Sequence, residues 1–344
     1  MPMKPQAISI KAQPDLVFCA TGKSGLGHLR RITNVVTALH RLQNGLNIHL
    51  ISNAEVKGLS TDEAAAFNEI HGIDRKDMAE AAGKLGGGLV VVDTAVLPSL
   101  GEVKAPLCLI LRETIADKLS EFQLQENRKW NLVCVPNLRE HWMPTADAVG
   151  AKRIEATGWI FRSAPTVTCF RPRVVTKQRR VLVASGGGGN ANTAAWFKQD
   201  IDNLLKRTRA LATSPIWVTQ AIGPRFPEQV ILSEANEHTN MGSQLNEKFA
   251  QYDVVISTVG YNSVLELAQT DVPVLLVPIL RSLDDQAARA NGWAIRMGHA
   301  YDEADMESSA RWLAGTLAEG KRRETCDLGA NGAEKCASLI LDLL

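Results

Sequence analysis

One pattern repeats along most of this sequence: a short run of apolar residues, a polar or glycine-rich turn, and an amphipathic helix. In the helix predicted over 29–42, apolar side chains recur every three or four residues and form one face. The strand-like runs are apolar throughout instead of alternating, which is typical of parallel strands covered by helices on both sides. The pattern therefore predicts an α/β fold built on doubly wound parallel sheets.

The pattern occurs twice, with an interruption between the two copies. Strands are predicted first over 15–20, 48–52, 88–93, 106–111 and 132–135, then over 180–185, 215–219, 253–257 and 273–277, the second set with helices over 193–211, 263–269 and 285–297. The interruption, 162–180, holds six basic residues, two prolines and no acidic residue. We therefore expect a Rossmann-like domain over 1–161, a linker over 162–179, a second such domain over 180–329 and a final helix over 330–344. Two such domains facing each other enclose a cleft, where ligands commonly bind.

Composition excludes some classes of protein. The 344 residues include 38 basic and 37 acidic side chains, so the formal charge is +1 and a dedicated nucleic-acid binder is not expected. No apolar run approaches the roughly 20 residues that span a bilayer, and the N-terminus is polar, so we expect a cytoplasmic protein. Six cysteines without a C-x-x-C pair favour buried free thiols over disulfides or zinc.

Two glycine-rich turns, 22–28 and 185–190, each follow a strand and open a helix. Glycine lets the backbone approach a ligand and presents N–H groups to an anion at a helix N-terminus, so the pair favours phosphate or sugar binding over a plain tight turn. The first turn is not a Walker A loop, because Val17 stands where that motif requires glycine. It is also a poor dinucleotide fingerprint, because Arg30 stands at the last glycine position.

A third strand end, 257–263, leads into a helix that carries Glu266. Glu266 follows Ser263 by three residues, which fits either a capping box or a carboxylate that grips the hydroxyls of a ribose. A fourth turn, 281–286, also opens a helix, and its serine or aspartate fits an N-cap.

These residues resemble the nucleotide-sugar half of GT-B glycosyltransferases, most closely the MurG-type enzymes. The resemblance is carried by 252–257, Gly260, 266–268, Val272-Pro273, Val277-Pro278, Asp285-Gln286 and the loop 185–190. In the first half it is looser and rests on 25–28. With 29–31, 111–113 and 157–160 added, that half resembles a group of predicted glycosyltransferases. The resemblance implies two Rossmann-like domains facing across a cleft, with a final helix that returns to the first.

The resemblance also implies roles. Glu266 would bind the donor ribose, Asp285 and Gln286 the donor sugar, and 238–241 would lie near the base. The donor-side residues expected on this basis are Ser185, Gly186, Gly187, Gly188, Gly189, Asn190, Met241, Gly260, Asn262, Ser263, Glu266, Asp285 and Gln286. The expected phosphate and acceptor-side residues are Gly25, Gly27, Arg30 and Arg112.

The implied reaction is an inverting transfer from a nucleotide-diphosphate sugar, UDP-linked by preference, without an obligatory metal or other cofactor. We interpret the only D-x-D triplet, Asp200 to Asp202, as a solvated helix face. His28, at a strand-to-helix turn, is the expected general base, with Glu113 the second choice. The remaining histidines at 40, 49, 71, 141 and 299 show no paired spacing, and we interpret them as structural.

Alternatives remain open at this stage. The G-x-G-H turn followed by arginine also resembles nucleotide-sugar hydrolases, in which water replaces the acceptor, and a non-catalytic nucleotide-sugar binding protein is a third interpretation. The acceptor is unknown: carbohydrate, lipid-linked or small molecule. The basic segment 162–180 is either a solvated hinge or a peripheral contact with anionic lipid at the inner face of a membrane.

Overall fold

The computed structural model describes residues 15–22, 27–54, 59–125, 128–163, 178–185, 191–222, 231–242 and 245–344. The chain divides into two compact units. The first contains residues within 1–161 together with 329–344, and the second contains 162–328.

The described residues of the first unit form a sheet of seven parallel strands. The strands are β1 (Leu16–Ala20), β2 (Ile48–Ser52), β3 (Glu69–Gly72), β4 (Leu89–Asp93), β5 (Leu107–Ile110), β6 (Leu132–Val135) and β7 (Ile154–Ala156). Their order is β3-β2-β1-β4-β5-β6-β7. The helices here are α1 (Gly27–Leu42), α2 (Thr61–Ala65), α3 (Met78–Leu85) and α4 (Ala146–Val149).

The second unit repeats this architecture with six described strands. They are β8 (Arg179–Ala184), β9 (Ile216–Ile222), β10 (Glu237–Asn240), β11 (Val254–Thr258), β12 (Val274–Val277) and β13 (Gly298–Ala300), in the order β10-β9-β8-β11-β12-β13. Its helices are α5 (Ala191–Leu211), α6 (Leu245–Lys248), α7 (Tyr261–Ala268), α8 (Gln286–Met297) and α9 (Met306–Glu319). The predicted α/β class, with two Rossmann-like parallel sheets, is confirmed.

Both sheets reverse their winding direction at the same relative place. In the first sheet, the strands that precede β4 in the sequence are added on one side of β1, and those that follow β4 are added on the other side of β4. In the second sheet the same change of direction occurs between β8 and β11. In open α/β sheets, ligands bind beyond the carboxyl ends of the two strands at such a point, where the loops diverge. Each unit therefore carries one topologically favoured ligand position.

The central strands match the sequence predictions to within one or two residues, apart from a β9 that runs three residues further. The four edge strands, β3, β7, β10 and β13, were not predicted. Each is only three or four residues long and carries polar or half-exposed side chains, as in the Glu-His-Thr-Asn of β10. An edge strand has a neighbour on one side only, so it lacks the apolar run that marks a central strand.

The chain ends in α10 (Gly332–Leu341), which packs in the first unit against α1. Its apolar face joins the core that α1 shares with the sheet, through Cys336 and Ile340 among others. The backbones approach closely here: a Cβ placed on Gly332 would lie 2.3 Å from the Gly158 carbonyl oxygen. Asn331 caps the helix through the Ala333 N–H and donates from Nδ2 to the Phe161 carbonyl.

Asp200 and Asp202 correct one prediction, because they do not form a solvated face. Both are buried, at 8% and 5% exposure. Asp202 accepts hydrogen bonds from Lys198 and from the Ser233 hydroxyl, and Asp200 accepts one from the Tyr301 hydroxyl at 2.6 Å. These carboxylates therefore hold α5 to neighbouring segments.

Within the described ranges, Cys19, Cys108, Cys134, Cys326 and Cys336 are all free thiols, as predicted, and all of them except Cys326 are buried. Cys169 lies outside those ranges. No helix in the described part of the chain is both long enough and apolar enough to cross a membrane.

Candidate active site

His28 and Asp93 meet at the carboxyl end of the first sheet, although 65 residues separate them in sequence. His28 is the second residue of α1, which follows β1, and Asp93 is the last residue of β4. β1 and β4 are the two strands at the winding reversal. His28 Nδ1 lies 2.9 Å from Asp93 Oδ1, with the imidazole 25% exposed and the carboxylate fully buried.

Arg31 holds the same carboxylate from the next turn of α1. Its Nε donates to Asp93 Oδ2 at 2.8 Å and its Nη2 to Oδ1 at 2.5 Å, a two-point contact. Arg31 is itself 2% exposed. A buried carboxylate is costly unless it is paired, and here one fixed cation and one imidazole supply the pairing.

Two opposing effects set the ionisation of Asp93. Burial raises the pKa of this carboxyl, but the Arg31 charge and the hydrogen bonds from His28 and Arg31 outweigh burial and lower the pKa to about 2. Asp93 is therefore a carboxylate at neutral pH. Because a carboxylate can only accept, the hydrogen of a neutral His28 ring must sit on Nδ1, which leaves the lone pair on Nε2.

Thr94 connects this pair to the next strand. It has a positive φ of 39°, rare for a residue with a branched side chain. Its hydroxyl donates to the Ile110 carbonyl at 2.9 Å and accepts from the Arg112 N–H at 3.2 Å. The Arg112 backbone, predicted to be on the acceptor side, is thus fixed beside the Asp93 strand end.

Glu113 lies one residue further along, half-buried, with Oε2 3.9 Å from His141 Nε2. His141 in turn packs edge-on against the Trp159 ring, with centroids 4.8 Å apart. The structure therefore gives Glu113 a neighbouring imidazole. Its role as an alternative acid or base stays a prediction.

In the second unit, the predicted donor residues follow the carboxyl ends of parallel strands, which all lie at one edge of the sheet. Ser185 follows β8, Met241 follows β10, and Gly260 follows β11. β8 and β11 are adjacent, with Ala184 opposite Ser257. The Ser185 hydroxyl is buried and makes no hydrogen bond with any described residue. A buried polar group of this kind is rare unless a ligand or water completes it.

Helix α7 begins at this point. Its N-cap is Gly260, which has no side chain to cap the first turn, and the first turn carries no acidic residue. Because Ser185 and Gly260 follow the adjacent strands β8 and β11, the positive end of the helix dipole lies at the same edge of the sheet as Ser185, an arrangement that favours an anion. Asn262 and Ser263 belong to this first turn, so the alternative capping-box interpretation of Ser263 is wrong.

Chains of known structure share this architecture. No protein-family model matches the sequence, and a search of curated proteins by sequence finds no match. Structural similarity, in contrast, extends along almost the whole chain. The MurG of Acinetobacter baumannii superposes with a TM-score of 0.54 and 14% identity over 96% of this chain and 100% of its own. A spinosyn rhamnosyltransferase, SpnG, complexed with thymidine diphosphate, gives 0.55 and 16% over 95% of both chains.

A ugt transferase from Siraitia grosvenorii in complex with UDP gives a TM-score of 0.52 and 14% identity over 95% of this chain and 99% of that one. This chain has the same two-sheet fold as these three solved structures. The predicted resemblance to the GT-B class, MurG included, is confirmed at the level of the fold.

Glu266 is buried within α7 at 6% exposure, and its Oε1 lies 3.4 Å from Arg162 Nη2. Arg162 also donates to Asn246 Oδ1, and its carbonyl accepts from Gln269 Nε2 at 3.0 Å. Arg162 thus belongs to the second unit and pairs with the carboxylate expected to bind a ribose. At the end of the expected linker, Arg179 already begins β8, and 164–177 lie outside the described residues.

Asp285 and Gln286 begin α8 in different ways. Asp285 is exposed and caps the helix by accepting from the Ala288 N–H at 2.9 Å, so the predicted N-cap is confirmed. Gln286 is buried, and its side-chain oxygen accepts from the Ile279 N–H at 3.2 Å. Asp284, also buried, pairs with Arg289 at 2.6 Å. The loop after β12 is therefore held internally, with Asp285 at its surface.

The remaining predicted residues divide into two groups. Gly27 and Arg30 lie in the first turn of α1, and the chain passes from Met241 into Gly242 with a positive φ of 53°. The predictions at Gly25, Gly186, Gly187, Gly188, Gly189 and Asn190 lie outside the described residues.

Two residues of the candidate site, Asp93 and Arg31, were not among the predicted ones. Asp93 ends a run of buried valines, and a charged residue at the end of an otherwise apolar strand is a signal for the crevice edge. Arg31 lies on the buried face of α1, whose other residues are mostly apolar, and a charged residue at such a position indicates a buried counter-charge.

A cavity of about 560 Å³ in the first unit is lined by 95–101, 121–125, Trp130 and the side chains of Arg75 and Lys76. Its described lining does not include His28 or Asp93. We therefore place the chemistry at the strand ends and not in this cavity.

Proposed function

We propose that this chain is a glycosyltransferase that moves a sugar from a nucleotide-diphosphate sugar to a hydroxyl acceptor, with His28 as the general base. The observation that carries the proposal is the contact between His28 and the buried, ionised Asp93 at the winding reversal of the first sheet. The glycosyltransferase fold supports the reaction class.

The base acts through Nε2. As the acceptor oxygen attacks the anomeric carbon, its proton passes to His28 Nε2 and the bond between that carbon and the diphosphate oxygen breaks, with inversion. Asp93 accepts the hydrogen bond from Nδ1 and stabilises the imidazolium that forms. Arg31 keeps Asp93 ionised, so that the carboxylate positions the ring and does not itself take the proton.

The leaving diphosphate gains negative charge during the reaction. We assign its stabilisation to the first turn of α7 and to the Ser185 hydroxyl, because a helix N-terminus and a buried donor with no partner among the described residues both favour an anion. The two carboxylates of the D-x-D triplet are engaged in hydrogen bonds within the protein, which supports a transfer that does not depend on them for a metal.

Glu266 is proposed to accept hydrogen bonds from the donor ribose, and Asp285, with Gln286 beneath it, to lie near the sugar. Arg162 of the same unit forms an ion pair with Glu266, so the Glu266 carboxylate would contact both Arg162 and a bound ribose. Two of the similar structures contain UDP or thymidine diphosphate, so we propose a uridine or thymidine diphosphate sugar as donor.

The first experiment separates this proposal from its two alternatives. Nucleotide-sugar donors are screened by thermal shift, and release of the nucleoside diphosphate is then followed with and without a panel of hydroxyl acceptors. Acceptor-dependent release establishes the transferase. Equal release without acceptor assigns a hydrolase, in which His28 activates water, and donor binding without any release assigns a binding protein.

A further inference from the structure

Three side chains on two neighbouring strands form a cluster apart from the site above. β2 and β3 pair in parallel with His49 opposite Glu69, and His71 lies two residues beyond Glu69 on the same strand. Side chains two residues apart on a strand point to the same face. The register therefore brings two imidazoles and one carboxylate together on one face of the sheet edge.

The distances fit a coordination polyhedron. His49 Nδ1 lies 3.2 Å from His71 Nε2, and His71 Nε2 lies 3.7 Å from Glu69 Oε2. One ligand atom from each residue lies within 4.8 Å of the other two. Zinc in a four-coordinate site, with bonds of about 2.0–2.1 Å, separates neighbouring ligand atoms by roughly 3.3 Å. Small side-chain shifts therefore place all three atoms around one ion.

Asn47 orients one of these rings. Its Oδ1 lies 3.2 Å from His49 Nε2. Because an amide oxygen can only accept, Nε2 carries the hydrogen, and the Nδ1 lone pair is directed at the cluster. A hydrogen bond from the second ring nitrogen to an oxygen is the usual support of a metal-binding histidine.

The surroundings also favour an uncharged pair of rings with access to solvent. Burial lowers the pKa of His49, burial and the neighbouring His49 lower the pKa of His71, and the charge of Glu69 partly opposes both effects. His49 is buried, whereas the Glu69 side chain is 40% exposed, which gives an ion a route in.

We propose that His49, Glu69 and His71 bind one Zn²⁺ ion, with water as the fourth ligand. Binding moves the hydrogen of His71 from Nε2 to Nδ1 and replaces the contact between the rings by two Zn–N bonds. The ion joins edge strand β3 to β2. The site belongs to the amino-terminal half of β2, whereas His28 follows the carboxyl end of β1, so the proposal is independent of the sugar-transfer reaction.

The test uses the full chain without a polyhistidine tag, stripped with a chelator and titrated with ZnCl₂ by calorimetry. Bound metal is counted by mass spectrometry after gel filtration. We expect one equivalent of Zn²⁺, a tenfold or greater loss of affinity in Glu69→Gln and His71→Ala, and a 10–100-fold loss in Asn47→Ala. The melting temperature of the wild type rises with excess Zn²⁺ by about 2–4 °C or more.

His40→Ala is the matched control, since His40 is a half-buried histidine of the same unit whose Nε2 contacts the Ala66 carbonyl outside the cluster. It should bind Zn²⁺ like the wild type. No stoichiometric binding by the wild type would overturn the proposal, and so would equal affinity in Glu69→Gln. Glu69→Gln is half-exposed and isosteric, so the test holds even if His71→Ala fails to fold, as circular dichroism would show.

Discussion

Asp93 serves both the core of the first unit and the proposed chemistry. It is fully buried at the end of β4, and its carboxylate is shared between the Arg31 guanidinium and the His28 ring. The same contacts that make a buried charge tolerable also fix the tautomer and orientation of the histidine. Changes at this position should therefore alter stability and activity together, and a change at His28, which removes one of the two partners of Asp93, should lower activity and also cost some stability.

Arg31→Met tests the structural half of this account. The variant leaves Asp93 buried beside His28 without its fixed counter-charge, so we expect a loss of about 3–5 kcal/mol in the free energy of unfolding. Urea denaturation at pH 7 measures it. Arg41 lies on α1 like Arg31, and its exposed side chain forms an ion pair with Glu334 of α10. Arg41→Met removes this exposed pair and should cost at most about 1 kcal/mol. Equal losses in the two variants would contradict the proposed pairing.

The lowered pKa of Asp93 makes a prediction about pH. The folded pKa, about 2, lies below the ordinary value of 3.8, so the folded chain binds fewer protons and this group adds stability above pH 4. That contribution, about 2 kcal/mol, is lost as the pH falls from 4 towards 2. The difference in unfolding free energy between wild type and Asp93→Asn should therefore shrink by this amount between pH 5 and pH 2. A constant difference would show that the pKa is not lowered.

Glu266→Gln tests the donor side. The isosteric change removes the charge that strengthens hydrogen bonds to a ribose, so the donor dissociation constant should rise about 10–100-fold. Calorimetry with the donor found by screening measures it, and the melting temperature checks the loss of the Arg162 pair. The exposed Glu307→Gln on α9 serves as the control. A dissociation constant equal to that of the wild type would refute the ribose role.

At the scale of elements, the periodicity of apolar residues is enough to place the central strands and the main helices, because both faces of each central strand are buried. The periodicity does not place β3, β7, β10 and β13, because these edge strands have a neighbouring strand on one side only. His28 could be predicted as a candidate because it lies in a short glycine-rich turn. Asp93 was not, since the two residues meet only when β1 pairs with β4. The proposed Zn²⁺ site was not predicted for the same reason, because spacing along one strand does not reveal a partner on the next.

The N-terminus of α10 gives a prediction at this scale. Gly332 has no room for a side chain, since a Cβ would lie 2.3 Å from the Gly158 carbonyl oxygen. Gly332→Ala should therefore lower the free energy of unfolding by about 1–3 kcal/mol as α10 is displaced. Gly315→Ala within α9 meets nothing within 4 Å and should be neutral or stabilising by about 0.5–1 kcal/mol. Chemical denaturation of both variants compares them directly, and a neutral Gly332→Ala would contradict the close approach.

At the scale of the whole molecule, the chain uses one winding pattern twice for two different tasks. Each unit places its candidate residues beyond the strands at its reversal: His28 and Asp93 in the first, Ser185 and the start of α7 in the second. The first set is suited to removing a proton and the second to binding an anion. Sugar transfer from a nucleotide donor requires both tasks, which is why we propose this reaction for the chain.

The most direct test of this assignment compares wild type with His28→Ala in a single-turnover reaction at saturating nucleotide sugar and acceptor. We predict that donor affinity stays within twofold and that the rate of sugar transfer falls by about 10²–10⁴-fold, because the group that accepts the acceptor proton is gone. His40→Ala should react at the wild-type rate. A His28→Ala enzyme that transfers sugar as fast as the wild type would contradict the account.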